Sequence, residues 1–140
     1  MTFSLLSLLW ACSPSKDSAP VETTDTQDGA CGAVNTHTVT VRAKVLVGGR
    51  PAAGLRVYLD DRGWEMKSVG EGNTGANGEV EFLADPVTSV ENCWGTVLNY
   101  WIVAENTDGS TVEDDMNTEL YNAIDDGSLV SDVTGFPLEF

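Results

Sequence analysis

Beginning at Thr38, the chain alternates with a period of two. Val39, Val41, Ala43, Val45 and Val47 fall on one set of positions, and Thr38, Thr40, Arg42 and Lys44 on the other. An extended chain points these sets to opposite faces, so the run predicts a strand with one face on a core and one face in water. Gly48-Gly49-Arg50-Pro51-Ala52-Ala53-Gly54 is a turn by composition, after which Leu55, Val57 and Leu59 alternate with Arg56, Tyr58 and Asp60. Residues 61–78 are glycine-rich and predict a mobile loop that closes on Asn77-Gly78, a dipeptide suited to a tight hairpin turn. Val80, Phe82 and Ala84 form the next inward face, and Pro86 is expected to stop that strand.

The second half adds a central strand and one helix. Residues 97–104 are apolar at nearly every position, which predicts a strand covered on both faces. Asp108-Gly109 turns the chain into Thr111-Val112, and Met116, Leu120 and Ile124 then recur every four residues as one face of a short helix that Gly127 can end. Leu129-Val130 and residues 136–140 supply the last strands. Roughly seven short strands in a domain of ~100 residues predict an all-β fold, a single β-sandwich with one short acidic helix near the C-terminus.

Three segments within this pattern resemble a known group. Residues 45–59 (VLVGGRPAAGLRVYL), 74–82 (TGANGEVEF) and 100–104 (YWIVA) are similar to the carboxypeptidase regulatory-like or transthyretin-like sandwich. Gly49, Pro51, Gly54, Val57 and Leu59 match its first element, and Thr74, Gly78 and Phe82 its second, with Gly75 in place of an Asp and one extra residue before Phe82. Tyr100, Ile102 and Ala104 match the third. The resemblance spans roughly residues 38–104 and implies a transthyretin-like (Ig-like) topology; the acidic segment after 112 departs from it.

The N-terminus reads as an address. Residues 3–11 are a short apolar run before Cys12. Nine residues span only ~14 Å as a helix, too little to cross a bilayer but the size of a signal-peptide core. Leu9-Trp10-Ala11-Cys12 resembles the lipobox of bacterial lipoproteins, which implies cleavage after residue 11 and lipid attachment at Cys12, although Trp10 is bulky and no Lys or Arg precedes the run. The competing reading makes Phe3–Trp10 a first buried element. Residues 12–30 are expected to be a disordered tether, since Val21 is their one sizeable apolar side chain, and residues 31–140 form the domain. Export leaves Cys31 and Cys93 as a candidate disulfide that would tie the start of the domain to its body, contributing ~4 kcal/mol in the chain-entropy model.

Charge and residue counts remove several functions. The chain has 22 acidic and 7 basic residues, for a net charge of −15, and all the bases lie at or before position 67. Nucleic acid is an unsuitable partner because no cluster of Lys and Arg exists to displace counterions. One histidine, His37, excludes centres built on two imidazoles, and its place just before the first strand suggests a solvated residue without a role. No G-x-S-x-G elbow is present, and the G-x-G-x-x-G of residues 70–75 is followed by a strand signal where a nucleotide site needs a helix.

Two features keep a functional reading beside a structural one. Asp114, Asp115, Asp125 and Asp126, with Glu113 and Asp132 nearby, offer oxygen ligands suited to Ca²⁺, or simply a solvated acidic face. Tyr58 and Trp101 occupy outward strand positions, with Trp64 and Trp94 in loops. They form either a ligand platform or, if the helix covers Trp101 and Val103, a second small core. The expectation is a non-enzymatic lipoprotein of the bacterial cell envelope, placed at its outer membrane by the residue after Cys12. It would be held to the membrane through Cys12 and would display a sandwich for structural or adhesive contact with an envelope protein. The alternative is a carbohydrate-binding module that grips a glycan with Tyr58 and Trp101.

Overall fold

The run of alternating valines becomes the longest strand, β1 (Val34–Val47), in a computed structural model that describes residues 31–93 and 98–140. The leader, Cys12, the tether and Trp94 lie outside the described residues. After β1 come β2 (Arg50–Pro51), β3 (Arg56–Asp61), β4 (Lys67–Asn73), β5 (Glu79–Val90), β6 (Tyr100–Glu105) and β7 (Thr111–Asp115). A helix, α1 (Asn117–Asp125), the only one among the described residues, precedes β8 (Val130–Asp132) and β9 (Leu138–Glu139). The strands form two sheets, so the fold is an all-β sandwich. In one sheet β1 is central, with β5 and β2 antiparallel along one side and β8 and β9 parallel along the other. The other sheet runs β4-β3-β6-β7, antiparallel throughout.

The inner faces meet as the alternation requires. Val39, Val41, Ala43 and Val45 of β1 are fully buried and share one core with Val57 and Leu59 of β3, Val80, Phe82 and Ala84 of β5, and Ile102 and Ala104 of β6. Val47, at the end of β1 and paired with Arg50, breaks the pattern and is exposed.

Three expectations are corrected. Residues 61–78 are not all loop, since they contain β4. Its inward positions, opposite Leu59 and Val57, are Gly70 and Gly72, so the strand lacks the apolar alternation that marks the others. A Cβ on Gly70 would lie 2.3 Å from the Leu83 carbonyl oxygen, and one on Gly72 would lie 2.7 Å from Val80 Cγ2. Glycine here lets β4 press against β5 and close that edge of the sandwich. Second, Asn77-Gly78 does turn the chain, with Gly78 at φ +75°, but it carries the chain from one sheet to the other and makes no hairpin. Third, Pro86 does not stop β5. The register shifts between His37 and Val39 leave Asp85 and Pro86 in a bulge, where a residue lacking an N–H costs no ladder bond.

The opposite edge is closed differently. Met116, Leu120 and Ala123 are buried, and Met116 and Leu120 belong to the main core between the two sheets. The predicted helical face is therefore present and Gly127, at φ +70°, follows the helix, but α1 plugs the sandwich edge beside β8 and does not lie over Trp101.

Candidate functional site

Alternation along β3 and β6 sends Arg56, Tyr58 and Asp60, and Trp101, Val103 and Glu105, to the outer face of the four-stranded sheet. The register sets Arg56 opposite Glu105, Tyr58 opposite Val103, and Asp60 opposite Trp101. The structure thus brings the two predicted platform residues onto one face. Each ring carries a guanidinium: Arg56 lies 4.6 Å from the centre of Tyr58, and Arg62 lies 5.1 Å from the centre of Trp101. Both distances are within cation–π range. Val103 is only 1 % exposed although it points outward, because this layer of rings and charged side chains covers it.

Carboxylates hold the guanidinium groups in place. Arg62 donates to Glu113 on β7 and to Asp60, and these bonds push its pKa up, the Glu113 bond most. The same contact lowers Glu113 below the ordinary carboxylate range. Arg56 donates to Glu71 and Glu105, which likewise raise its pKa, Glu71 first. The result is a fixed polar lattice over four strands, with aromatic rings set between opposite charges. The indole N–H of Trp101 donates to Asn99 Oδ1. Trp64 is exposed in the loop after β3, as expected.

These pairs redistribute the charge asymmetry of the sequence. Arg42–Glu81 and Lys44–Glu79 on the outer face of β1 and β5, Arg56–Glu71, Arg56–Glu105 and Arg62–Glu113 each join a base from the first 67 residues to an acid from beyond them. Strand pairing offsets part of the acidic charge on the two sheet faces, and Asp114, Asp115, Glu119, Asp125 and Asp126 gather around α1 and its flanking turns.

The four candidate metal ligands belong to that group. Asp114 and Asp115 lie at the end of β7, and Asp125 and Asp126 at the far end of α1, a helix of ~13 Å. Asp115 accepts hydrogen bonds from the backbone and side-chain nitrogens of Asn117, and Asp126 accepts the Ser128 N–H, which lowers its pKa. Asp132 accepts the hydroxyl and N–H of Thr134 with the same effect. These acids cap turns, and among the described residues no three His, Cys, Asp or Glu side chains converge as a metal-holding group.

Cys31 and Cys93 are at disulfide distance, with Cα atoms 5.2 Å apart across 62 positions. Gly32 N–H donates to the Glu91 carbonyl and Glu91 N–H to that of Ala33, so the link sits on a short stretch of paired backbone. His37 corrects another expectation. It lies within β1, half-buried, and its Nε2 is 2.9 Å from Ser89 Oγ across the sheet.

Sequence reasoning missed one polar centre altogether. Asp61 is fully buried, and its carboxylate accepts the N–H groups of Gly63, Trp64 and Glu65, which folds the loop after β3 around it. Beside it, Tyr100 is buried with its hydroxyl accepting the Thr88 N–H from β5. Burial and the nearby Asp61 charge push its pKa up to about 12, against the lowering effect of the Thr88 donor. The one available signal was the break in the β3 alternation, where an acid follows Leu59 at the next inward position. The chain matches no known family model, no curated protein and no solved structure.

Proposed function

We propose that this protein is a non-enzymatic, lipid-anchored domain of the bacterial cell envelope, held by Cys12 and a tether, that displays its transthyretin-like sandwich for contact with another envelope protein. The observation that supports it most is the pairing of Cys31 with Cys93. A disulfide of this kind suits an oxidising compartment, and it accounts for two of three cysteines, leaving Cys12 in its lipobox-like setting. The contact surface in this reading is the outer face of the four-stranded sheet. Arg, Tyr and Trp are the residues most often found at the energetic centre of protein interfaces, and here carboxylates hold Arg56 and Arg62 over the rings of Tyr58 and Trp101.

The carbohydrate reading is weaker on the same geometry, because a sugar stacking on Tyr58 or Trp101 competes with the guanidinium groups over those rings. Metabolic labelling with palmitate tests the anchor: the wild-type chain should be labelled and Cys12→Ser should not. Label that survives in Cys12→Ser would overturn the lipoprotein reading. Tryptophan fluorescence titrated with polysaccharides tests the face, and the expected result is no saturable change.

A further inference from the structure

β1 begins as a strand that buries none of its side chains. Residues 31–36 are all exposed, Val34 at 50 %, and the first fully buried side chain of β1 is Val39. Among the described residues this stretch pairs with β5 alone, since β8 joins the other side of β1 only from Thr40. The register shift between His37 and Val39 separates it from the rest of the ladder. Residues 31–37 are therefore held to the sandwich by backbone pairing, by the His37–Ser89 contact and by the bond from Cys31 to Cys93. Two paired strands without buried side chains are marginal in water, because solvent replaces their hydrogen bonds at little net cost.

The strand opposite is fixed independently. Val87 and Val90 belong to the main core, Thr88 is fully buried, and the Tyr100 hydroxyl of the other sheet accepts the Thr88 N–H. Glu91 N–H instead depends on the Ala33 carbonyl, and the Glu91 carbonyl accepts the Gly32 N–H. Of these two amides at the end of β5, the core holds one and the exposed start of the chain holds the other.

We propose that residues 31–37 are a strap that the Cys31–Cys93 bond keeps closed and that a dithiol reductant opens, leaving the sandwich folded. Cys31 is exposed and Cys93 only 7 % exposed, so a thiolate of the reductant reaches the bond from the Cys31 side and attacks its Sγ. Cys93 leaves as a thiolate and takes up a proton. The second thiol of the reductant then displaces Cys31 from the mixed disulfide. The reductant ends as a disulfide, having given up two electrons and two protons, and Cys31 and Cys93 end as thiols. Opening stops at the register shift, beyond which Val39 and Val41 are anchored in the core. It uncovers the edge of β5 from Val87 to Glu91, and it adds up to ~23 Å of extended chain between the sandwich and whatever precedes it. None of this requires the lipid anchor.

The test is amide hydrogen exchange of the full chain by NMR, with the bridge intact and after treatment with dithiothreitol. Three amides decide it: Glu91, Thr88, and Val45 in the far part of β1, where it donates to the Gly78 carbonyl. All three should be protected while the bridge is intact. On reduction the Glu91 amide should lose roughly a hundredfold more protection than the other two, which stay protected and move together. Cys31→Ser combined with Cys93→Ser should give the same pattern without reductant. An equal fall at all three amides would mean that the bridge holds the whole domain together, and unchanged protection at Glu91 would mean that the backbone ladder holds by itself; either would overturn the strap. Loss at Glu91 in the double variant but not in dithiothreitol would overturn the part assigned to the reductant.

Discussion

The two edges of this sandwich are closed by opposite means. At the β4–β5 edge, glycine closes the gap: at Gly70 backbone meets backbone, the nearest obstacle to a Cβ being the Leu83 carbonyl, and Gly72 leaves room for the side chains of Val80 and Phe82. At the other edge, side chains of a helix and its N-cap fill the gap, with Met116 and Leu120 set into the core. A backbone seal cannot adjust to an added atom without moving a strand. A side-chain plug can repack. Tyr100 joins the two, since its hydroxyl accepts the Thr88 N–H on β5, while its own N–H donates to Asn117 Oδ1 and its carbonyl accepts the Met116 N–H at the start of the helix.

The difference sets an order of effects. Gly70→Val should be the most damaging, at about 4 kcal/mol or loss of folding, because the clash is with main chain. Urea unfolding measures it, and a cost near zero would break the idea of a backbone seal. Leu120→Ala should cost about 3 kcal/mol as an ordinary core deletion, with the helix repacking around part of the void.

Tyr100 supplies the pH dependence. Its folded pKa, at about 12, lies above the ordinary value of 10, so the unfolded chain loses this proton first as pH rises. Stability contributed by the buried neutral phenol is therefore whole below pH 10 and is lost between pH 10 and about 12, to an extent of roughly 2 kcal/mol. Tyr100→Phe should flatten that part of the profile; an unchanged slope would assign it elsewhere. Arg62→Ala should have the smallest effect, at most about 1 kcal/mol and less in high salt, since the Glu113 pair is partly exposed. Its clearer readout is a change in Trp101 fluorescence as the guanidinium leaves the ring.

The same contrast explains what could be read in the chain. Wherever a buried position holds a side chain, as in β1, β3, β5 and α1, periodicity located the element and its inward face. Where the inward positions hold glycine, as at Gly70 and Gly72 of β4, Val69 is left as the strand's one buried apolar residue, the alternation vanishes and the strand reads as loop. Pro86 misled for a related reason: a proline marks the end of a ladder only if its missing N–H was needed, and a bulge removes that need. The outward placement of Tyr58 and Trp101 was legible from alternation, but the arginines above them were not. Arg62 reaches Trp101 from 39 positions away, a separation that only the register of β3 on β6 brings together. The hydrogen-bond partners of Asp61 and Tyr100 were unreadable for a similar reason, since loop folding and the meeting of two sheets supply them.

Native-state hydrogen exchange tests the contrast most directly, because it reports the opening free energy of each edge within one molecule. Two unequal closures predict that the ladder amides of β3 on β4, and of β1 on β5, exchange only through global unfolding, with protection that follows total stability as urea is added. The amides of α1 should exchange through a local opening that is weakly dependent on urea and lies well below the global free energy. Equal protection at both edges, or earlier opening at the glycine edge, would contradict the account.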